Sequence, residues 1–117
     1  MKEENSLGNI YISHRAIATI AYQASLASYG VVGLTAKNLA KGLAQVIVKD
    51  PTLGVDVNFT PMGNFIDLYI IIEYGTRIKM VAASVAENVK YQVEKILGLP
   101  VTAVNVHVRG LRISDLD

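Results

Sequence analysis

Ser13, His14 and His107 are the side chains whose types could support nucleophilic or acid–base chemistry, together with the carboxylates spread along the chain. A hydrolytic site needs its nucleophile beside a base, and that base beside an orienting group. No Gly-x-Ser-x-Gly elbow is present, and most of the chain separates the two histidines. His14 falls in the first turn of an expected helix, where a solvated imidazole is the ordinary outcome. His107 falls on the polar side of an expected strand. Metal binding has as little support, because there is no His-x-x-x-His pair, no paired-carboxylate spacing and no cysteine. The sequence therefore assigns no catalytic, cofactor-binding or metal-ligating residue, and it points away from an enzyme.

Two other groupings carry possible function. Gly30-Val31-Val32-Gly33, with Lys37 and Lys41 following, has the form of a glycine-x-x-glycine turn between two expected helices. In a KH-type nucleic-acid module such a turn lets the backbone approach phosphates closely. Valines in the middle and a net charge of +1 argue against that use. The plainer reading is a helix–helix turn whose valines enter the core. The second grouping is Met80, Ser84, Glu87 and Tyr91, flanked by Arg77 and Lys95, opposite the apolar stripe of a long expected helix. Single exposed apolar residues are ordinary. A methionine and a tyrosine on one line favour an association surface.

These residues need elements to hold them, and the clearest lie between Ile66 and Arg109. Ile66, Leu68, Ile70, Ile72 and Tyr74 alternate with Asp67, Tyr69, Ile71 and Glu73, the period of a strand. Gly75 breaks it and Thr76 is the expected cap of the next helix. Ile78, Val81, Val85, Val89, Val93 and Ile96 then recur at helical steps. Gly98 and Pro100 end that helix, and Val104, Val106 and Val108 form a last strand. Upstream, Gly8 to Ser13 reads as a short strand, Ser13 as a helix N-cap, and His14 to Tyr29 as a helix. Tyr22, Leu26 and Tyr29 make that helix apolar on its second side as well, which calls for a covering layer there. Ala36 to about Val46 reads as a further helix, Asp50-Pro51 and Gly54 as a loop, and Val55 to Thr60 as a strand that turns through Pro61 to Asn64.

The expected fold is α+β: a two-layer β-α-(α)-β-β-α-β domain, a mainly antiparallel sheet with helices on one face. The order also matches a split-βαβ, ferredoxin-like layout. The polar sheet face would carry Asn9, Tyr11, Asp56, Asn58, Asp67, Tyr69, Glu73, Asn105, His107 and Arg109, read as solvated. A hydrophobic content of 51% in 117 residues suits one filled core. Residues 1–7 read as a flexible leader, 8–113 as the single domain and 114–117 as a tail. The start lacks the apolar stretch of a signal peptide. The longest apolar run, Leu68 to Ile72, falls far short of the roughly 20 residues that span a bilayer. A cytoplasmic protein without direct membrane insertion is expected.

Tyr74-Gly75, Glu87-Asn88-Val89-Lys90, Gly98-Leu99-Pro100-Val101 and Val104-Asn105-Val106-His107-Val108 together resemble the alkaline shock protein (Gls-type) envelope stress response family. Gly8 to Ser13 and Tyr29 to Leu34 resemble the opening of that family, so the likeness runs from about Gly8 to Leu111. Ala86, where glutamine is common, and the segment Ala36–Leu53 depart from it. The resemblance implies a short, single-domain, non-enzymatic member of the kind found in Gram-positive bacteria. Such proteins serve cell-envelope homeostasis and stress, self-associate, and can be held at the membrane by a membrane-embedded partner. It also implies a functional link to a fatty acid kinase, and no cofactor.

Overall fold

The computed structural model describes residues 13–37 and 47–113. Helix α1 (His14–Leu26) begins where Ser13 accepts the Ala16 N–H on its hydroxyl, so the expected cap is in place. Strand β1 (Val31–Thr35) follows, then the two-residue β2 (Ile47–Val48), a single helical turn α2 (Pro51–Gly54), β3 (Val55–Thr60), β4 (Gly63–Glu73), the long α3 (Ile78–Leu97) and β5 (Ala103–Arg112). The expected strand at Gly8–Ser13 and helix at Ala36–Val46 lie, for the most part, outside the described residues, as do Asn9, Tyr11 and Lys41.

Strand β4 organises the sheet. β5 runs parallel to it from Phe65 to Glu73 and takes one whole edge. The opposite edge is shared, antiparallel, by β3 along Gly63 to Leu68 and by β1 along Ile70 to Ile72. β2 pairs antiparallel with β1. The sheet is mainly antiparallel and the fold is α+β, as expected. The strands flanking α3 are direct neighbours, however, so the crossover is not split by an intervening strand.

Alternation on β4 sends Ile66, Leu68, Ile70 and Ile72 into a core shared with Ile17, Ala18, Ala21 and Ala24 of α1 and with Val81, Val85, Val89 and Val93 of α3. Each of these large aliphatic side chains contributes roughly 1.5–3 kcal/mol on burial. The small residues of α1 let it lie close to α3 and the sheet. Asn88 ties the two helices: its Nδ2 donates to the Ala24 carbonyl at 3.0 Å and to Ser28 Oγ at 3.2 Å. On the second side of α1, Tyr22 is covered from within the chain, its hydroxyl donating to the Val48 carbonyl at 3.1 Å. Leu26 and Tyr29 stay exposed.

Four local expectations are corrected. Val31–Thr35 is a strand rather than part of a helix–helix turn, because β4 supplies ladder partners for it. Asp50-Pro51 to Gly54 is a helical turn rather than a loop, since Asp50 caps it and proline at its first position suits a helix start. Thr76 does not cap α3. Its hydroxyl donates to the Glu73 carbonyl at 2.7 Å, and the cap position of α3 is Arg77, which makes no side-chain cap bond. Tyr69 is buried rather than solvated, at 5% exposure.

Candidate docking surface on the helix layer

The outer side of the helix layer brings Met80, Ser84, Glu87 and Tyr91 onto one line of α3, as the spacing requires, and all four are exposed. Tyr29, three residues beyond the end of α1, joins them. A cavity of about 380 Å³ lies between it and α3, lined by Tyr29, Gly75, Thr76, Arg77, Met80, Val81 and Ser84. A second hollow continues from Tyr29 and Ser84 past Glu87 and Asn88 to Tyr91. Exposure is 81% for Tyr29, 61% for Met80 and 56% for Tyr91. Such exposure of large apolar and aromatic residues along one groove is characteristic of a binding surface.

Two Tyr-Gly pairs build the head of this groove. Gly30 adopts φ +88° and Gly75 φ +94°, conformations that favour glycine. At Gly30 a Cβ would stand 2.8 Å from Val81 Cγ2, so only glycine lets the end of α1 sit directly on the base of α3. The Gly30 carbonyl accepts the Glu73 N–H at 2.8 Å, which fixes both pairs to one another. Tyr29 is thus carried out beside Met80 by backbone geometry. Arg77 folds back along the helix, Nη1 3.7 Å from Met80 Sδ. Further along, Lys95 Nζ lies 5.4 Å from the centre of the Tyr91 ring.

The sheet face is different. Tyr69 stacks on His107 with ring centres 4.8 Å apart, and Arg109 Cζ lies 5.3 Å from the Tyr69 ring centre. His107 Nε2 meets Asp67 Oδ1 at 3.1 Å, and Lys37 Nζ meets Asp56 Oδ2 at 3.1 Å. Burial, then the neighbouring Asp56, push the Tyr69 phenol up from its ordinary range, and the hydrogen bond to Asp56 raises Lys37. β5 carries one extra residue, Arg109, between the pairs Val108–Ile70 and Gly110–Ile71.

The residues with chemical potential are not brought together. Ser13 caps α1, His14 sits edge-on to Phe59 at 5.2 Å, and His107 is engaged with Asp67. Among the described residues no group of three or more His, Asp or Glu side chains could hold a metal ion. The Gly30–Gly33 segment does not form a phosphate-approaching turn: Val31 packs against the core, and a Cβ on Gly33 would meet Ile47 at 2.8 Å. Lys37 is paired with Asp56. No described helix is long and apolar enough to cross a membrane.

A family profile described as having a cell envelope-related function, that of the ASP23 or alkaline shock proteins, matches residues 2–113. The chain belongs to the alkaline shock protein family. It is 41% identical to the uncharacterized protein YloU of Bacillus subtilis, over 92% of both chains. It is 32% identical to the uncharacterized protein Spy1614 of Streptococcus pyogenes, over 91% of this chain and 89% of that one. Among solved structures it resembles MamM-CTD, with a TM-score of 0.50 and 13% identity over 88% of this chain and all of the other, a likeness of fold alone. Membership explains the motifs in physical terms. The Glu-Asn-Val-Lys run of this family member places Asn88 on α1, Val89 in the core and Glu87 in the groove. Tyr29 and Arg77 complete the groove through tertiary contact that helical spacing does not encode.

Proposed function

We propose that the protein is a non-enzymatic scaffold for the cell envelope, acting by self-association and by docking to a protein partner. In this reading it is cytoplasmic and reaches the membrane through a membrane-embedded partner. The observation that carries the proposal is the continuous exposed groove along α1 and α3, from Tyr29 and Met80 to Tyr91, in a family described as envelope-related. Its aromatic and thioether side chains suit protein contacts, since Tyr and Met are enriched at interfaces and Met adapts its shape. Packing in the core makes no use of them.

Light scattering on the purified protein, with far-ultraviolet circular dichroism as the fold control, tests the self-association arm. Wild type should run as a discrete oligomer, and Met80→Asp with Tyr91→Asp should lower the mass while leaving the helix signal intact. A monomeric wild type, or an unchanged mass in the double variant, would sink self-association through this surface.

A further inference from the structure

We infer that the cleft between Tyr29 and Met80 is a side-chain recognition pocket, and that it takes a large apolar residue of a partner protein flanked by a carboxylate. This rests on the docking reading and names the chemistry of the docked segment. At about 380 Å³ the half-open cavity has room for one large side chain. Its walls are the Tyr29 ring, the Met80 thioether and the Val81 methyls, which provide apolar contact without a hydrogen-bond requirement. Ser84 offers a hydroxyl at the side, while the Thr76 hydroxyl, donating to the Glu73 carbonyl, can only accept.

Charge decides the second part. Among the described residues Arg77 is the one charged side chain lining the cavity, and no acidic one lines it. Among the described residues Arg77 meets no carboxylate within ion-pair distance; its recorded polar neighbour is the Met80 sulfur. By contrast Arg15, Lys37 and Lys90 each face a carboxylate. A guanidinium at the mouth of an apolar cleft matches a carboxylate in a two-pronged geometry that an ammonium or a neutral donor does not. A partner segment with an acidic residue next to an aromatic or large aliphatic one satisfies both features.

The pocket is also preformed. Gly30 is locked against Val81, Thr76 is held by the Glu73 carbonyl, and the Glu73 N–H is bound to the Gly30 carbonyl. Binding there orders little backbone, which leaves more of the contact energy as affinity.

The test uses two small probes on the full chain, N-acetyl-phenylalanine as its carboxylate and N-acetyl-phenylalanine amide, followed by amide chemical shifts in a ¹⁵N-labelled sample. The carboxylate probe should move the Gly30, Gly75, Arg77 and Ser84 resonances and bind about fivefold more tightly than the amide, the scale of an exposed charge pair. Arg77→Gln should erase that preference while the amide still binds, and Met80→Asp should weaken both. Equal affinities of the two probes, or shifts confined to other parts of the protein, would overturn the inference. The readout works on a monomer, so a failure of self-association in light scattering leaves it standing, and its failure leaves self-association untouched.

Discussion

Tyr69 and Tyr29 show how differently the two faces of this domain treat the same kind of side chain. On the sheet face Tyr69 is 5% exposed, stacked on His107, approached by Arg109 and hydrogen-bonded at long range to Asp56. The charged residues around it are engaged with one another: Lys37 with Asp56, His107 with Asp67. On the helix face Tyr29 is 81% exposed, and neither Glu87 nor Arg77 has an ion-pair partner among the described residues. Polarity alone does not separate the faces, since both carry charges of both signs. They differ in whether the groups satisfy each other within the chain. A face whose aromatic and charged groups are already engaged has little left to offer a partner, whereas the helix face keeps its groups available.

The sharpest way to break this contrast is to truncate one tyrosine on each face. Tyr69→Ala removes a buried ring and its stack and should destabilise the protein by about 3–5 kcal/mol in a denaturant titration. Tyr29→Ala removes a ring that packs on little and should stay within about 0.5 kcal/mol of wild type. Similar losses at the two sites would mean that the helix face is structural after all.

A smaller effect separates the two Tyr-Gly pairs of the groove. Gly30 and Gly75 have nearly the same positive φ, so alanine carries a similar backbone strain at each, about 1 kcal/mol or somewhat more. Only at Gly30 does the new methyl collide with Val81; at Gly75 nothing lies within 4 Å. Gly30→Ala should therefore lower stability further than Gly75→Ala, by roughly 1–3 kcal/mol, the range for overpacking. Equal losses would show that α1 does not depend on close approach to α3. Between the helices, Asn88→Ala should cost about 1–2 kcal/mol, because it leaves the Ala24 carbonyl and the Ser28 hydroxyl without that donor.

The contrast also shows what sequence patterns can and cannot reveal. Of the stripe Ile78, Val81, Val85, Val89, Val93 and Ile96, the four valines were legible because one helix face repeats at fixed steps, whereas Ile78 and Ile96 at its ends stay exposed. The opposite side, Met80, Ser84, Glu87 and Tyr91, followed from the same geometry. The β4 alternation was legible for the equivalent reason. The Gly98 stop was legible too, with φ +68° at the helix end. β1 was not, because Gly30 and Gly33 look like turn residues, although β-branched Val31, Val32 and Thr35 gave a strand signal that outweighs them. The glycines answer to tertiary demands instead, one to Val81 and the other to Ile47. Tyr29 and Arg77 entered the site for the same kind of reason: their place beside Met80 depends on how α1 meets α3. The parallel pairing of β5 with β4 likewise depends on where α3 returns the chain.

The smallest effect concerns Glu94, the helix residue that, unlike Glu87, is engaged. Its Oε2 accepts the Val101 N–H at 2.9 Å and lies 3.3 Å from Lys90 Nζ. The Val101 hydrogen bond and then Lys90 hold its carboxyl below the ordinary value of 4.5. A carboxyl whose pKa is lower in the folded than in the unfolded state adds stability that is fully present above the unfolded value. That contribution fades as pH falls through the folded one. Unfolding midpoints measured downward from pH 6 should therefore drop less steeply for Glu94→Gln than for wild type, with the two curves converging at the acid end. The Glu94 side chain is partly exposed and screened by solvent, so the difference should be slight. Parallel curves would show that the Glu94–Val101 bond does not hold the end of α3 to the start of β5, and the engaged and available carboxylates of this helix would then no longer differ in kind.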